Sequence, residues 1–140
     1  MKIVKTLGIL VLIGVVVFAL IQLIPYGRSH KNPPVVLEPA WDAQARAIAK
    51  KACFDCHSNE TVWPWYSNIA PVSWLVQRDV DEGRSKLNFS DWGHNVRSVA
   101  EIADEIQGGD MPPGQYKLLH PAAKLTDAER QTLIQGLQGK

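Results

Sequence analysis

Cysteine is scarce in this chain: two occur in 140 residues, and both fall within one four-residue window, Cys53 to Cys56. A framework of disulfides closing long loops is therefore excluded as the support of the fold. An excess of charge is lacking too. Fifteen Lys and Arg offset fourteen Asp and Glu to leave a net charge of +1. The basic residues are scattered, which removes the electrostatic footprint of a nucleic-acid binder. Methionine is nearly absent, with Met111 standing alone after the initiator. No strand pair or internal repeat stands out, so sheet and solenoid architectures find no support in the pattern. With 46% apolar residues the chain has matter for one small domain and too little for two separate cores.

The apolar residues are unevenly spread. No charge occurs from Thr6 through Ile24, a run mostly of Leu, Ile and Val. As a helix this run spans roughly 28 Å, close to the hydrocarbon thickness of a bilayer, and a helix satisfies its own backbone groups there. A cleaved signal peptide is the alternative, with Val17-Phe18-Ala19 as a tolerable cleavage site. The uncleaved anchor is favoured because Leu20 to Ile24 continue uncharged past that site, and no second apolar run follows. Lys2 and Lys5 precede the span while Arg28 and Lys31 follow it, so flanking charge barely decides orientation. The organisation expected is an anchor or signal over residues 1–27, an extended proline-bearing linker over 28–38 lifting the domain off the bilayer, and a folded domain over 39–140.

Within that domain the pattern predicts helices only. The first runs from Ala40 to Lys51, with Trp41, Ala45, Ile48 and Ala52 at helical spacing and Pro39 suited to the first turn. An aromatic loop follows over Asn59 to Pro71. A second helix opens at Pro71, with Val72, Leu75, Val76 and Val80 on an inward stripe, Gln77, Arg78, Asp81 and Arg84 facing away, and Gly83 near its end. Ser90 is read as the N-cap of a third helix over Asp91 to Gln107, with Val96, Val99, Ile102 and Ile106 inward and Gly108-Gly109 ending it. Thr126-Asp127-Ala128-Glu129 reads as a capping box opening a last helix that turns Leu133, Ile134 and Leu137 inward.

Cys53-Phe54-Asp55-Cys56-His57 is C-x-x-C-H, the attachment sequence of haem c. Two thiols three positions apart can add across the two vinyl groups of one porphyrin, and the next residue is then carried to the iron. The same cysteines could form a thioredoxin-like redox pair, but that fold places the motif after a strand and no strand precedes Cys53. Zinc would need four Cys or His ligands, and only His30, His94 and His120 remain, isolated and without paired spacing.

The chain resembles the bacterial haem-binding domain family, which is related to monohaem cytochromes c. The resemblance covers most of the chain after the linker. It is carried by Cys53-Phe54-Asp55-Cys56-His57-Ser58-Asn59, Trp63-Pro64-Trp65-Tyr66, Pro71-Val72-Ser73-Trp74 and Gly109-Asp110-Met111-Pro112-Pro113. It implies an all-α, cytochrome c-like domain behind a single N-terminal transmembrane helix. One haem c is expected, held covalently by Cys53 and Cys56, with His57 as proximal iron ligand. Met111 takes the place of the distal ligand, since monohaem cytochromes c present a methionine in a loop before the last helix. The Trp-rich loop and the Ser73-Trp74 helix depart from ordinary small cytochromes c.

Met111 also stands on its own context, in a loop stiffened by Gly108-Gly109 and Pro112-Pro113, and a soft thioether favours ferrous iron. A methionine filling a core gap is the plain alternative. His94 and His120 compete for the same position, although both read as surface residues. Trp63, Trp65, Trp74 and Trp92 are expected in the core around the macrocycle, and Arg78 and Arg97 on solvated faces. The function implied is one-electron transfer between redox proteins at the periplasmic face of the bacterial inner membrane, which needs no catalytic group. The alternatives are a haem sensor or peroxidase-like enzyme with an exchangeable sixth ligand, and a module in which haem mainly completes a small core.

Overall fold

The computed structural model describes residues 2–94 and 98–139. Among them the regular structure is helical, as expected, and one isolated bridge between Leu37 and Asp91 is the strand-like pairing. Helix α1 covers Lys2–Ile21, and its stretch Ile3–Ile21 is long and apolar enough to cross a membrane by length and composition. Six further helices follow: α2 Ala43–Ala52, α3 Phe54–His57, α4 Val72–Lys86, α5 Val99–Gly108, α6 Gly114–Leu119 and α7 Asp127–Leu137. Short 3-10 turns occupy Trp65–Asn68 and Pro121–Ala123.

The chain forms two compact units, one of Met1–Lys31 with Trp63–Arg78, the other of Asn32–Val62 with Asp79–Lys140. In the second unit, α2 starts where Asp42 accepts a hydrogen bond from the Ala45 amide at 2.7 Å. This moves the start three residues past the expected Ala40, because a side-chain cap outweighs the permissive Pro39. Ala45, Ile48, Ala49 and Ala52 are buried on one face of α2. Helix α7 crosses that face at Gly136, where a Cβ would overlap the Ala45 side chain, so two small residues let the helices approach closely. The capping box at Thr126 and Glu129 is present, and Leu133, Ile134 and Leu137 face inward as the sequence predicts. Together with Phe54, Leu87, Phe89, Ile102, Ala103 and Ile106 they form one apolar core, against which Cys53, Trp41 and Trp92 pack.

Three expectations are corrected. The third helix begins at Val99, capped by the Ser98 side chain, and not at Asp91. Ser90 is fully buried instead, with its hydroxyl accepting from the Asn59 amide at 2.9 Å. A serine with two competing uses went to the buried one, where an unmade hydrogen bond costs more. Val96 and Arg97 lie outside the described residues. Second, the inward face of α4 holds Ser73 and Val80, while Val72 and Leu75 are 39% and 53% exposed. Third, Trp65 is 76% exposed and is no part of the core.

Candidate functional site

Helix α2 runs straight into the cysteine turn. The Cys53 amide bonds the Ala49 carbonyl at 2.8 Å, and the Cys53 carbonyl accepts from Cys56 at 3.2 Å and from His57 at 2.8 Å. One turn of helix therefore carries Cys53, Cys56 and His57 side by side. Phe54 pins this turn from below: it is 1% exposed, 5.8 Å from Trp41 and 6.0 Å from Phe89 between ring centres. Both thiols are free and half-buried. Burial pushes each up to about 12, aided at Cys56 by the Asp79 and Asp55 carboxylates. A thiol-disulfide exchange site works with a thiol lowered into the thiolate range, and burial here acts in the opposite direction.

His57 is held from the other side. Its Nδ1 lies 3.0 Å from the carbonyl oxygens of both Gly83 and Leu87, at the end of α4. A carbonyl only accepts, so Nδ1 carries the proton, and Nε2 of the neutral ring keeps a lone pair for a metal. Burial lowers the imidazole's proton affinity, against the two carbonyls, which raise it. The neutral ligand form is thus favoured. Gly83 is the condition for this geometry, since a Cβ there would overlap the Cys56 carbonyl. Glycine inside a helix costs about 1 kcal/mol against alanine, and here it admits the cysteine turn against the helix backbone.

The residues after the motif form a buried polar lattice. The Ser58 hydroxyl donates to Phe54 O at 2.8 Å, Arg84 Nε donates to Ser58 O at 2.8 Å, and Phe89 N donates to His57 O at 2.8 Å. Asn59 Nδ2 donates to Pro34 O at 2.9 Å, and Asn88 Nδ2 donates to Asn59 Oδ1 at 3.0 Å. Arg46 pairs with Glu38 and Glu60 on either side of the turn and lies 5.3 Å over the Phe54 ring.

Met111 is carried separately, on the loop between α5 and α6, and is 37% exposed. Gly109 ends α5 in the left-handed region at φ 81°, as the Gly108-Gly109 pair predicts. Arg130 of α7 donates to Ile106 O at 3.1 Å and Lys117 to Gly109 O at 3.2 Å, which ties the loop down at its start. At its far end the Tyr116 hydroxyl donates to Asp55 Oδ2 at 2.7 Å, while Asp55 Oδ1 accepts from Val62 N at 2.9 Å. The second variable residue of the C-x-x-C-H motif is thereby bonded to the helix that follows Met-Pro-Pro. Tyr116 also stacks on His120 at 4.2 Å, and exposed His94 pairs with Asp91 at 3.0 Å. His30 stacks on Trp63 at 4.7 Å.

The sequence singled out Cys53, Cys56, His57 and Met111 but not Gly83, Leu87 or Tyr116. The first two act through backbone carbonyls, which no side-chain pattern announces; Tyr116 had one available signal, an aromatic residue three positions past the Met-Pro-Pro element. No three His, Cys, Asp or Glu cluster to hold a bare metal ion among the described residues. The donor set fits an iron that arrives in its own macrocycle: one imidazole whose Nδ1 is held by two carbonyls, which leaves Nε2 for a metal, and two free cysteines beside it. The family model of the haem-binding domain matches residues 16–139. No curated protein and no solved structure matches the chain.

Proposed function

Because this chain belongs to the haem-binding domain family, we propose that it is a membrane-anchored, monohaem, one-electron carrier of the c type. In this reading Cys53 and Cys56 hold the haem covalently, His57 Nε2 is the proximal iron ligand and Met111 the distal one. The observation that carries it is the pair of 3.0 Å contacts from His57 Nδ1 to Gly83 O and Leu87 O, which fixes ring orientation and tautomer beside two free cysteines. Bound haem supplies reversible one-electron chemistry at its iron. The chain supplies the rest: an immobile imidazole, a dry aromatic floor of Phe54, Phe89 and Trp41, and a tethered thioether.

The span Ile3–Ile21 supports an anchor, and the C-x-x-C-H motif supports a haem domain on the periplasmic side, because covalent attachment of haem c takes place there. The partners are redox proteins of that compartment or membrane. Haem stain on a denaturing gel tests the attachment. Wild type should keep its haem, Cys53→Ala and Cys56→Ala should weaken the stain, and the double variant should lose it. Full stain in the double variant overturns the c-type assignment.

A second reading, an exchangeable sixth ligand serving a sensor or peroxidase-like role, draws on the 37% exposure of Met111. Carbon monoxide separates the two. A reduced protein that stays low-spin under the gas is a carrier, and one that binds it readily is not.

A further inference from the structure

We propose that the segment Trp65 to Leu75 lies in the membrane–water interface at the C-terminal end of α1, with Trp65, Ile69, Val72 and Leu75 set against lipid. The proposal rests on the reading of α1 as a membrane span. Gln22 is the first residue past α1, and its side chain makes a closed pair with one peptide unit of this segment. Its Nε2 donates to Ala70 O at 2.9 Å, and the Ala70 amide donates to its Oε1 at 3.0 Å. A few residues on, Gly27 meets the backbone of α4 so closely that a Cβ would overlap the Ser73 carbonyl. Arg28 closes the same corner by donating to Gln22 O at 2.7 Å. Ala70 is thereby held one side-chain length from the end of the span, inside a single compact unit. Helix α4 starts two residues after Ala70, and from Val72 to Leu75 it rises about 5 Å, within the depth of one headgroup layer.

The composition suits that depth. From Thr61 through Gln77 the sequence holds no charged residue, with Glu60 before it and Arg78 after it. Burial in headgroups therefore strips water from no charge. Most of the exposed side chains are apolar, with Trp65 at 76%, Ile69 at 38%, Val72 at 39% and Leu75 at 53%, and the polar one among them, Asn68, turns its amide back to donate to Trp65 O at 3.1 Å. Val72 and Leu75 share one face of α4 by their i, i+3 spacing, while Ser73 between them turns inward. Apolar area of this kind left in water forgoes roughly 25 cal/mol per Å2, and a contiguous patch marks a binding surface. Continuity with α1 makes lipid the occupant. An exposed indole beside a span end also matches the preference of Trp for the bilayer interface.

The test places a photoreactive benzophenone amino acid in full-length holoprotein in its native membrane, singly at Trp65, Leu75, Phe18 inside the C-terminal end of the span and exposed Leu118 of the other unit. After illumination, mass spectrometry reads lipid adducts. Yields at Trp65 and Leu75 that approach the Phe18 yield, several-fold above Leu118, are expected. Lipid adducts at Phe18 with none at Trp65 and Leu75 overturn the interfacial placement and leave the anchor standing. Protein adducts at Trp65 and Leu75 in place of lipid overturn it as well and assign the face to a membrane protein. Absence of lipid adducts at Phe18 removes the anchor itself and this proposal with it.

Discussion

His57 shows how much of a site can depend on atoms without a side chain. Its imidazole is oriented by the Gly83 carbonyl of α4 and the Leu87 carbonyl just past it, and the close approach of the cysteine turn requires that residue 83 be glycine. Gly83→Ala should improve the intrinsic helix propensity of α4 and still destabilise the protein, by about 1–3 kcal/mol, since overlap with the Cys56 carbonyl forces backbone to move. Thermal unfolding of wild type and variant checks this, and an unchanged or raised midpoint would contradict the close approach. That Cys53, Cys56 and His57 come together on one turn was legible in the sequence because they are nearly contiguous and at helical spacing. Gly83 was visible only as a glycine near a helix end, because the contact that requires it joins residues far apart in the chain. Met111 belongs to the same scale. On the proposed c-type reading, Met111→Ala should leave covalent haem intact, as attachment through Cys53 and Cys56 and ligation by His57 would not involve the loop, and should open the reduced protein to carbon monoxide. If His120→Ala or His94→Ala opens it and Met111→Ala does not, histidine is the distal ligand.

Among the elements, those with strong local signals matched expectation. The capping box of α7 and the terminating glycines of α5 depend on neighbours within a few residues, so pattern reading finds them. Two elements defeated it for different reasons. The start of α5 was placed early because Ser90 is a good cap by type, yet a long-range partner, the Asn59 amide, claims its hydroxyl. On α4 the apolar stripe of Val72 and Leu75 obeys helical periodicity, but periodicity states that a face is apolar and not which apolar medium covers it. Helix α6 is six residues long and offered no pattern to read. It nevertheless joins the methionine loop to the cysteine turn through Tyr116 and Asp55. Tyr116→Phe removes that donor and keeps the ring stack on His120, so stability should fall by about 1 kcal/mol. On the ligand reading, carbon monoxide should also bind the reduced variant faster than wild type, because the loop has lost one of its ties. Equal rates with equal stability would mean that Arg130 and Lys117 hold the loop alone.

For the molecule as a whole, the ion pairs around the second unit make stability depend on pH in a direction that can be worked out. Glu38 accepts from Arg46 at 2.7 and 2.6 Å, and Glu129 from Lys51 while also closing the capping box at Thr126. These pairs join the segment before α2 to α2, and α2 to α7, so they brace the helices that carry the cysteine turn. Hydrogen bonding to Arg46 holds the Glu38 carboxyl below its ordinary value of 4.5, and Lys51 does the same for Glu129. A carboxylate whose folded-state pKa is depressed binds its proton more weakly folded than unfolded. Its contribution is complete above the unfolded value near 4.5 and is lost as pH falls through the folded value. The share of the thermal midpoint that these two pairs supply should therefore hold steady from neutral pH down to about 5 and fall below 4.5, beneath the separate loss that buried His57, with its proton affinity lowered, brings as pH falls below its ordinary value of 6.5. In Glu38→Gln and Glu129→Gln the drop should be shallower, because a group that no longer titrates cannot lose its partner. At neutral pH each variant should be less stable by at most about 1 kcal/mol, as both carboxylates are partly solvated. Melting curves of the holoprotein at pH 7, 5 and 3.5 measure both effects. A wild-type midpoint that rises on acidification below 4.5, or a double variant with the full wild-type drop, would show that these two pairs do not set the acid limb.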